Sequence, residues 1–383
     1  MAFKKEITQE VPETAATSIE ETKEAAFFGP LYEYIKDDQI TDVDYNGREL
    51  WVNDCNNFRR KVTDIPISQQ WVRNFAQQVA NKESKEFNKL HPVLEAETED
   101  LRISIVDPYV ATTGTSICIR KTPTFARITV PDSLATKYAT PEILSFLINA
   151  VKSHCNIIVC GEPGVGKTEC CKFISQFIAE NERVITIEDS LEWHFSKIKP
   201  RADCIEMQVH PTKENKFTFT DAIVTCLRQN PRWMMIAEIR GEEAKEYVQA
   251  LSTGVNGITT LHTDDVRNIP DRVVNMVADR SAASRMESDI YTFVDVGVLV
   301  NKKMDKNGHV RRFIDQIGVF TNDHGKEKSE LVFDNGKPVE NYRLPESIYK
   351  KFKRTHINNP YQNDYIDSFL HDNEEASEQT PKS

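Results

Sequence analysis

The run Gly161-Glu-Pro-Gly-Val-Gly-Lys-Thr168 satisfies the spacing GxxxxGK[ST] in full. An apolar stretch, Asn156-Ile-Ile-Val-Cys160, precedes it, and Cys170, Phe173, Ile174 and Phe177 follow at helical spacing. A strand, a glycine turn and a helix start are therefore predicted in series. The glycines let successive backbone N–H groups face one point, and the helix N-terminus adds partial positive charge there. Gly161, Glu162, Pro163, Gly164, Val165, Gly166, Lys167 and Thr168 thus form a cradle for the phosphates of a nucleotide. Lys167 would reach the β- and γ-phosphates, and the Thr168 hydroxyl would ligate Mg²⁺.

Hydrolysis needs acids as well. Two apolar runs end in carboxylates: Arg183-Val-Ile-Thr-Ile-Glu188-Asp189, and Trp233-Met-Met-Ile-Ala-Glu238 with Arg240 two residues on. A third run ends in Thr260-Leu-His262-Thr-Asp-Asp265. At the carboxyl ends of neighbouring parallel strands such groups converge on the crevice beside the loop. One acid could then hold Mg²⁺ while the other polarises the attacking water. His262 would sense or relay the γ-phosphate.

These groups need a scaffold, and 383 residues suffice for two domains with tails. Residues 1–27 carry few large apolar groups and are expected to be a flexible leader. Residues 28–130 read as an α+β module. It has a hairpin about Asn46-Gly47, a helix bearing Trp71, Val72, Phe75 and Val79, and strands at 101–106 and 115–120. Residues 131–140 are expected to be a linker. Thr140-Pro141 marks a helix start, and strands alternate with helices over 141–322. That alternation predicts an α/β domain with a mostly parallel sheet covered on both faces. A hairpin about Lys306-Asn307-Gly308 closes it, and residues 323–383 are expected to be an extension ending in an acidic tail.

The formal net charge of -11 argues against broad nucleic-acid binding. Eight cysteines without a CxxC pair point to a reduced, cytosolic chain without a four-Cys zinc site. No apolar run has the length of a membrane span. A GTPase base reader, Asn-Lys-x-Asp, is only approximated by Asn301-Lys-Lys-Met-Asp305. Its acid stands one residue late, which in a strand reverses the side chain's direction.

The order Gly161–Thr168, Ile187-Glu-Asp189, Ala237-Glu-Ile-Arg-Gly241 and Thr260-Leu-His-Thr263 resembles the traffic ATPases of type II and type IV secretion, conjugation and pilus assembly. Their four boxes are Walker A, Asp box, Walker B and His box. Leu227-Arg-Gln-Asn-Pro231, Ala250-Leu-Ser-Thr-Gly-Val-Asn-Gly257 and Ile117-Cys-Ile-Arg-Lys121 are similar to the family too. The resemblance spans about residues 30 to 320. It departs at Ala237, where the family usually has Gly, and at Arg232-Trp233. The missing four-Cys site favours the conjugation-type or tight-adherence-type branch.

The resemblance implies a RecA-like P-loop domain behind the smaller α+β domain, and a homo-hexameric ATPase that uses ATP and Mg²⁺. It implies Glu188 as the water-activating acid, Glu238 as the Walker B acid and metal ligand, and His262 as the His-box residue. Arg102 and Arg120 match family positions that supply positive charge to the nucleotide. The ring would sit at the cytoplasmic face of the membrane through inner-membrane components of the apparatus. Two other functions share these residues: a nucleotide-gated assembly adaptor with weak hydrolysis, and a DNA-handling ATPase of a mobile element.

Overall fold

Three hydrophobic cores organise this chain, one on the first sheet and one on each face of the larger sheet. The computed structural model describes residues 13–56, 58–211, 216–277, 283–306 and 309–370. The chain divides between Thr122 and Pro123 into two units.

The first unit runs α1 (Glu13–Phe28), α2 (Tyr32–Lys36), β1 (Ile40–Tyr45), β2 (Leu50–Asp54), β3 (Arg59–Val62), α3 (Gln69–Lys82), β4 (Val93–Glu97), β5 (Leu101–Val106) and β6 (Ser116–Lys121). Its strands form one antiparallel sheet in the order β3-β2-β1-β6-β5-β4. Val43, Val52, Ile103 and Ile119 alternate onto the face that Val72, Phe75 and Val79 of α3 cover. Ser68 starts α3, its hydroxyl accepting the Trp71 N–H at 3.1 Å. The leader expected over residues 1–27 is in part a helix. Residues 1–12 lie outside the described residues, and α1 occupies the rest. Phe27 and Phe28 at its end stand 5.4 and 6.0 Å from the Phe75 ring, an apolar anchor that the polar stretch before them hides.

The second unit holds a nine-stranded sheet. Its elements are α4 (Val130–Ala135), α5 (Pro141–Lys152), β7 (Ile157–Cys160), α6 (Lys167–Ser175), β8 (Val184–Glu188), α7 (Phe195–Ile198) and β9 (Cys204–Gln208). The short pair β10 (His210–Pro211) and β11 (Lys216–Phe217) follows. Then come α8 (Phe219–Leu227), β12 (Trp233–Ile236), α9 (Glu243–Ser252), β13 (Asn256–Leu261), α10 (Ile269–Val274), α11 (Ala283–Phe293), β14 (Val296–Met304), β15 (Val310–Asp323), β16 (Lys326–Asp334), β17 (Lys337–Pro338) and α12 (Glu346–Arg354).

The strand order is β17-β16-β15-β14-β7-β13-β12-β8-β9. The six strands from β14 to β9 are parallel, and β15 to β17 add an antiparallel edge. α5, α6 and α12 pack on one face through Leu147, Phe173 and Phe352. α8 to α11 pack on the other through Ala222, Tyr247, Ile269 and Ile290. The expected α/β class is therefore the observed one, with helices on both faces. The turn at Asn307-Gly308 lies outside the described residues.

Two expected boundaries differ. The stretch 131–140 is not an open linker: Thr129 caps α4, and Tyr138 and Ala139 are buried in the core. Pro131 falls in the first helical turn, where proline starts a helix as readily as it breaks one. Nor is 323–370 an appendage. β16 and β17 complete the sheet, and the Phe146 ring lies 5.9 Å from Phe333, 5.7 Å from Phe352 and 5.8 Å from Tyr361. Asn149 donates to the Pro360 and Gln362 carbonyls, pinning the segment after α12. The acidic tail, residues 371–383, lies outside the described residues.

Candidate active site

Four neighbouring strands end at one edge. β7 runs into the glycine loop, β13 stops before His262, β12 stops two residues before Glu238, and β8 ends on Glu188. β13 lies between β7 and β12, and β12 lies beside β8. The sheet order therefore sets loop, imidazole and acids side by side.

The loop's curl uses three glycines at positive φ, Gly164 at +74° among them. Gly161 has φ +145°, and a β-carbon there would stand 2.4 Å from the Val300 carbonyl oxygen of β14. Gly166, at φ +94°, opens α6. Gly161→Ala is expected to push the loop off β14 and weaken ADP binding by about tenfold or more, since forced backbone strain costs about 1–3 kcal/mol. Calorimetric titration with ADP checks this; unchanged affinity would rule the contact unimportant.

Lys167 is buried at the start of α6. Its ammonium donates to the Gly161 and Glu162 carbonyls, both at 3.2 Å, and lies 2.9 Å from His262 Nδ1. The same Nδ1 lies 3.1 Å from the Gly161 carbonyl oxygen, so it sits between a donor and an acceptor. Nε2 lies 2.9 Å from Glu238 Oε1, and Glu238 Oε2 lies 2.9 Å from Arg240 Nη2. Arg240 Nη1 donates to Asp189 Oδ2 at 3.2 Å. A continuous polar chain, Lys167–His262–Glu238–Arg240–Asp189, thus crosses four strand ends. Burial pushes the Lys167 pKa down, and the Glu238 carboxylate opposes that shift. Glu238, Ile239, Arg240 and His262 also line a cleft of about 280 Å³ together with Arg272 and Met276 of the α10 region.

Glu188, the acid expected to activate water, ends β8 and engages the loop that follows it. Its side chain is fully buried. Oε2 accepts the backbone N–H groups of Glu192 at 2.9 Å and Trp193 at 3.1 Å. Oε1 is buried with no hydrogen-bond partner among the described residues. Burial pushes the carboxyl up to about 8, although the two N–H donors pull it down. The carboxyl ties down the loop after β8 through these two N–H groups.

That loop delivers a second acid. The Thr168 hydroxyl donates to Glu192 Oε2 at 3.3 Å, and Glu192 is half-buried. The sequence signal was present in Glu188-Asp-Ser-Leu-Glu192, whose last acid lies four residues past the strand end. Sequence reasoning also missed Arg312 of β15, whose Cδ would lie 3.4 Å from a Gly166 β-carbon. The Thr168 hydroxyl beside a carboxylate is the hard oxygen set that Mg²⁺ takes. Glu238 fits a metal less well, because both its oxygens are already engaged by His262 and Arg240.

Arg102 and Arg120 belong to the first unit, where they face each other directly across β5 and β6. Arg120 Nε donates to Asp42 Oδ1 at 3.0 Å, and Arg102 Nε lies 3.9 Å from Glu97. Each also stands opposite an acid, Arg120 opposite Asp42 and Arg102 opposite Glu97, so the sheet compensates the two like charges.

The model of the type II/IV secretion system protein family matches residues 76–325. An uncharacterised protein of Bacillus anthracis is 29% identical over 81% of this chain and 71% of its own length. A putative conjugal transfer protein of Mycobacterium tuberculosis is 25% identical over 80% of this chain and 88% of its own. Among solved structures, the Legionella pneumophila ATPase DotB is similar in fold, with a TM-score of 0.58, 16% identity and 84% of each chain covered.

Proposed function

The chain belongs to the type II/IV secretion system protein family, and from that premise we propose that it is the ATP-hydrolysing motor of a type IV secretion or conjugation-type machine. The observation that carries the reading is the unbroken chain from Lys167 through His262 to Glu238, Arg240 and Asp189. It joins the phosphate cradle to three other strand ends, as a site that must register one triphosphate requires.

The loop N–H groups and Lys167 hold the β- and γ-phosphates. Thr168 would hold Mg²⁺, which would supply charge neutralisation at the phosphate oxygens. Glu192, beside Thr168, accepts the proton of the attacking water, and Glu188 positions it from below. His262 couples the charge on Lys167 to Glu238, so the Walker B acid responds to the nucleotide's phosphate count. Arg102 and Arg120 match family positions that supply positive charge to the nucleotide. The chain works as a homo-hexamer, docked to the cytoplasmic face of the membrane by inner-membrane components of its apparatus. No helix among the described residues is long and apolar enough to cross a membrane.

The test is ATP turnover and ATP affinity of the assembled protein with Lys167→Ala. Loss of its charge-assisted bonds should weaken ATP binding about tenfold to hundredfold and suppress phosphate release in parallel. Equal turnover in the variant would reject the site. Tight binding without phosphate release in the unaltered protein would make it a nucleotide-gated adaptor instead.

A further inference from the structure

We propose that Arg127 is a nucleotide-binding residue that takes the ribose of the bound ATP; the inference rests on the reading of 161–168 as a phosphate cradle. Arg127 lies in the segment that leads into α4, and that segment is fastened to the first two turns of α6. The Arg127 backbone N–H donates to Glu169 Oε2 at 3.2 Å, and Lys172 donates to the Pro123 carbonyl at 2.8 Å. Glu169 directly follows Thr168, so this segment flanks the end of the cradle away from its first glycine.

The guanidinium itself is incompletely satisfied. Arg127 Nε and Nη2 are buried without a hydrogen-bond partner among the described residues. The carboxylate that fastens this segment is already used: Glu169 Oε2 holds the Arg127 N–H, and Oε1 lies 3.4 Å from Lys172 Nζ. Buried guanidinium N–H groups without acceptors are costly. They persist where an acceptor arrives from outside.

The cradle says which acceptor. In a phosphate loop the lysine meets the β- and γ-phosphates, while the N–H groups at the helix start hold the α- and β-phosphates. The nucleoside end therefore leaves past the first turn of α6, on the side to which residues 123–127 are tied. A planar fork of donors matches phosphate oxygens and ribose hydroxyls alike.

The experiment titrates ADP and inorganic tripolyphosphate into the full chain and into Arg127→Met, Arg127→Lys and Lys167→Ala. Arg127→Met is expected to weaken ADP by about tenfold to hundredfold and to leave tripolyphosphate unchanged. Its melting temperature without nucleotide should equal or exceed the parent's, because an unsatisfied buried cation has gone. Arg127→Lys, which keeps charge but loses the fork, should recover part of the ADP affinity. Should Arg127→Met fail to fold, Arg127→Lys carries the comparison, with weaker ADP and unchanged tripolyphosphate binding expected. Lys167→Ala should weaken both ligands. ADP affinity unchanged in the Arg127 variants, or equal losses on both ligands, would overturn the proposal. If Lys167→Ala alone loses ADP, only the Arg127 assignment fails. If the parent chain binds neither ligand, the cradle reading fails with it.

Discussion

Glu192→Gln is expected to lower ATP turnover by a factor of about 10² to 10⁴, the range over which a positioned acid–base group contributes, with ADP affinity nearly unchanged. Glu188→Gln should leave turnover within about threefold of the parent, because losing a group that touches no reacting atom removes little transition-state stabilisation. The two acids sit four residues apart, yet their surroundings differ. Glu192 meets the Thr168 hydroxyl. Glu188 is sealed under the loop, accepting two backbone N–H groups, and glutamine retains a carbonyl oxygen to accept them.

The pH dependence of stability separates them again. With its pKa raised by burial to about 8 in the fold, against an ordinary 4.5, folded Glu188 keeps a proton that the unfolded chain releases between those values. Its contribution is therefore complete below about pH 4.5 and is lost as pH rises through 8, at up to about 1.4 kcal/mol per pH unit. Glu188→Gln should flatten that slope. Phosphate release and urea unfolding at pH 6 and pH 9 measure both effects. A turnover collapse in Glu188→Gln with normal rates in Glu192→Gln would reverse the assignment.

The second large effect concerns folding. Lys351→Ala is expected to cost about 3–5 kcal/mol, the usual penalty for stripping the partner from a buried ion. Lys351, on α12, reaches Asp295 Oδ2 at 2.5 Å, and the same oxygen accepts the Asn156 N–H at 2.7 Å. Asp295 is buried just before β14, and burial raises its pKa against the pull of Lys351. The pair therefore ties the helix beyond the family-matched segment to the strand beside the glycine loop. Asp295→Asn with Lys351→Met should recover most of the loss, since no buried charge then lacks a partner. Chemical denaturation reads both. A midpoint unchanged by Lys351→Ala would show the residues after 323 to be dispensable.

Much of the site was legible because its signals are local. GxxxxGK[ST] after an apolar run dictates strand, turn and helix within one short segment, and the structure places them there. Likewise Ala237-Glu238 and Leu261-His262 end β-branched or apolar runs, and each emerges at the expected strand end. The less legible elements lack such local signals. β9 is a half-buried edge strand without clean alternation, and α12 buries only Ile348 and Phe352 along a charged helix.

The sequence by itself determined that a nucleotide cradle exists and that two acids and an imidazole accompany it, because strand periodicity and glycine geometry are properties of neighbouring residues. Only the tertiary structure decided which acid of Glu188 and Glu192 faces Thr168, and that the chain beyond residue 322 completes the sheet. Those outcomes turn on burial and on partners far along the chain, and a side chain's neighbours in space are set only once the strands have paired.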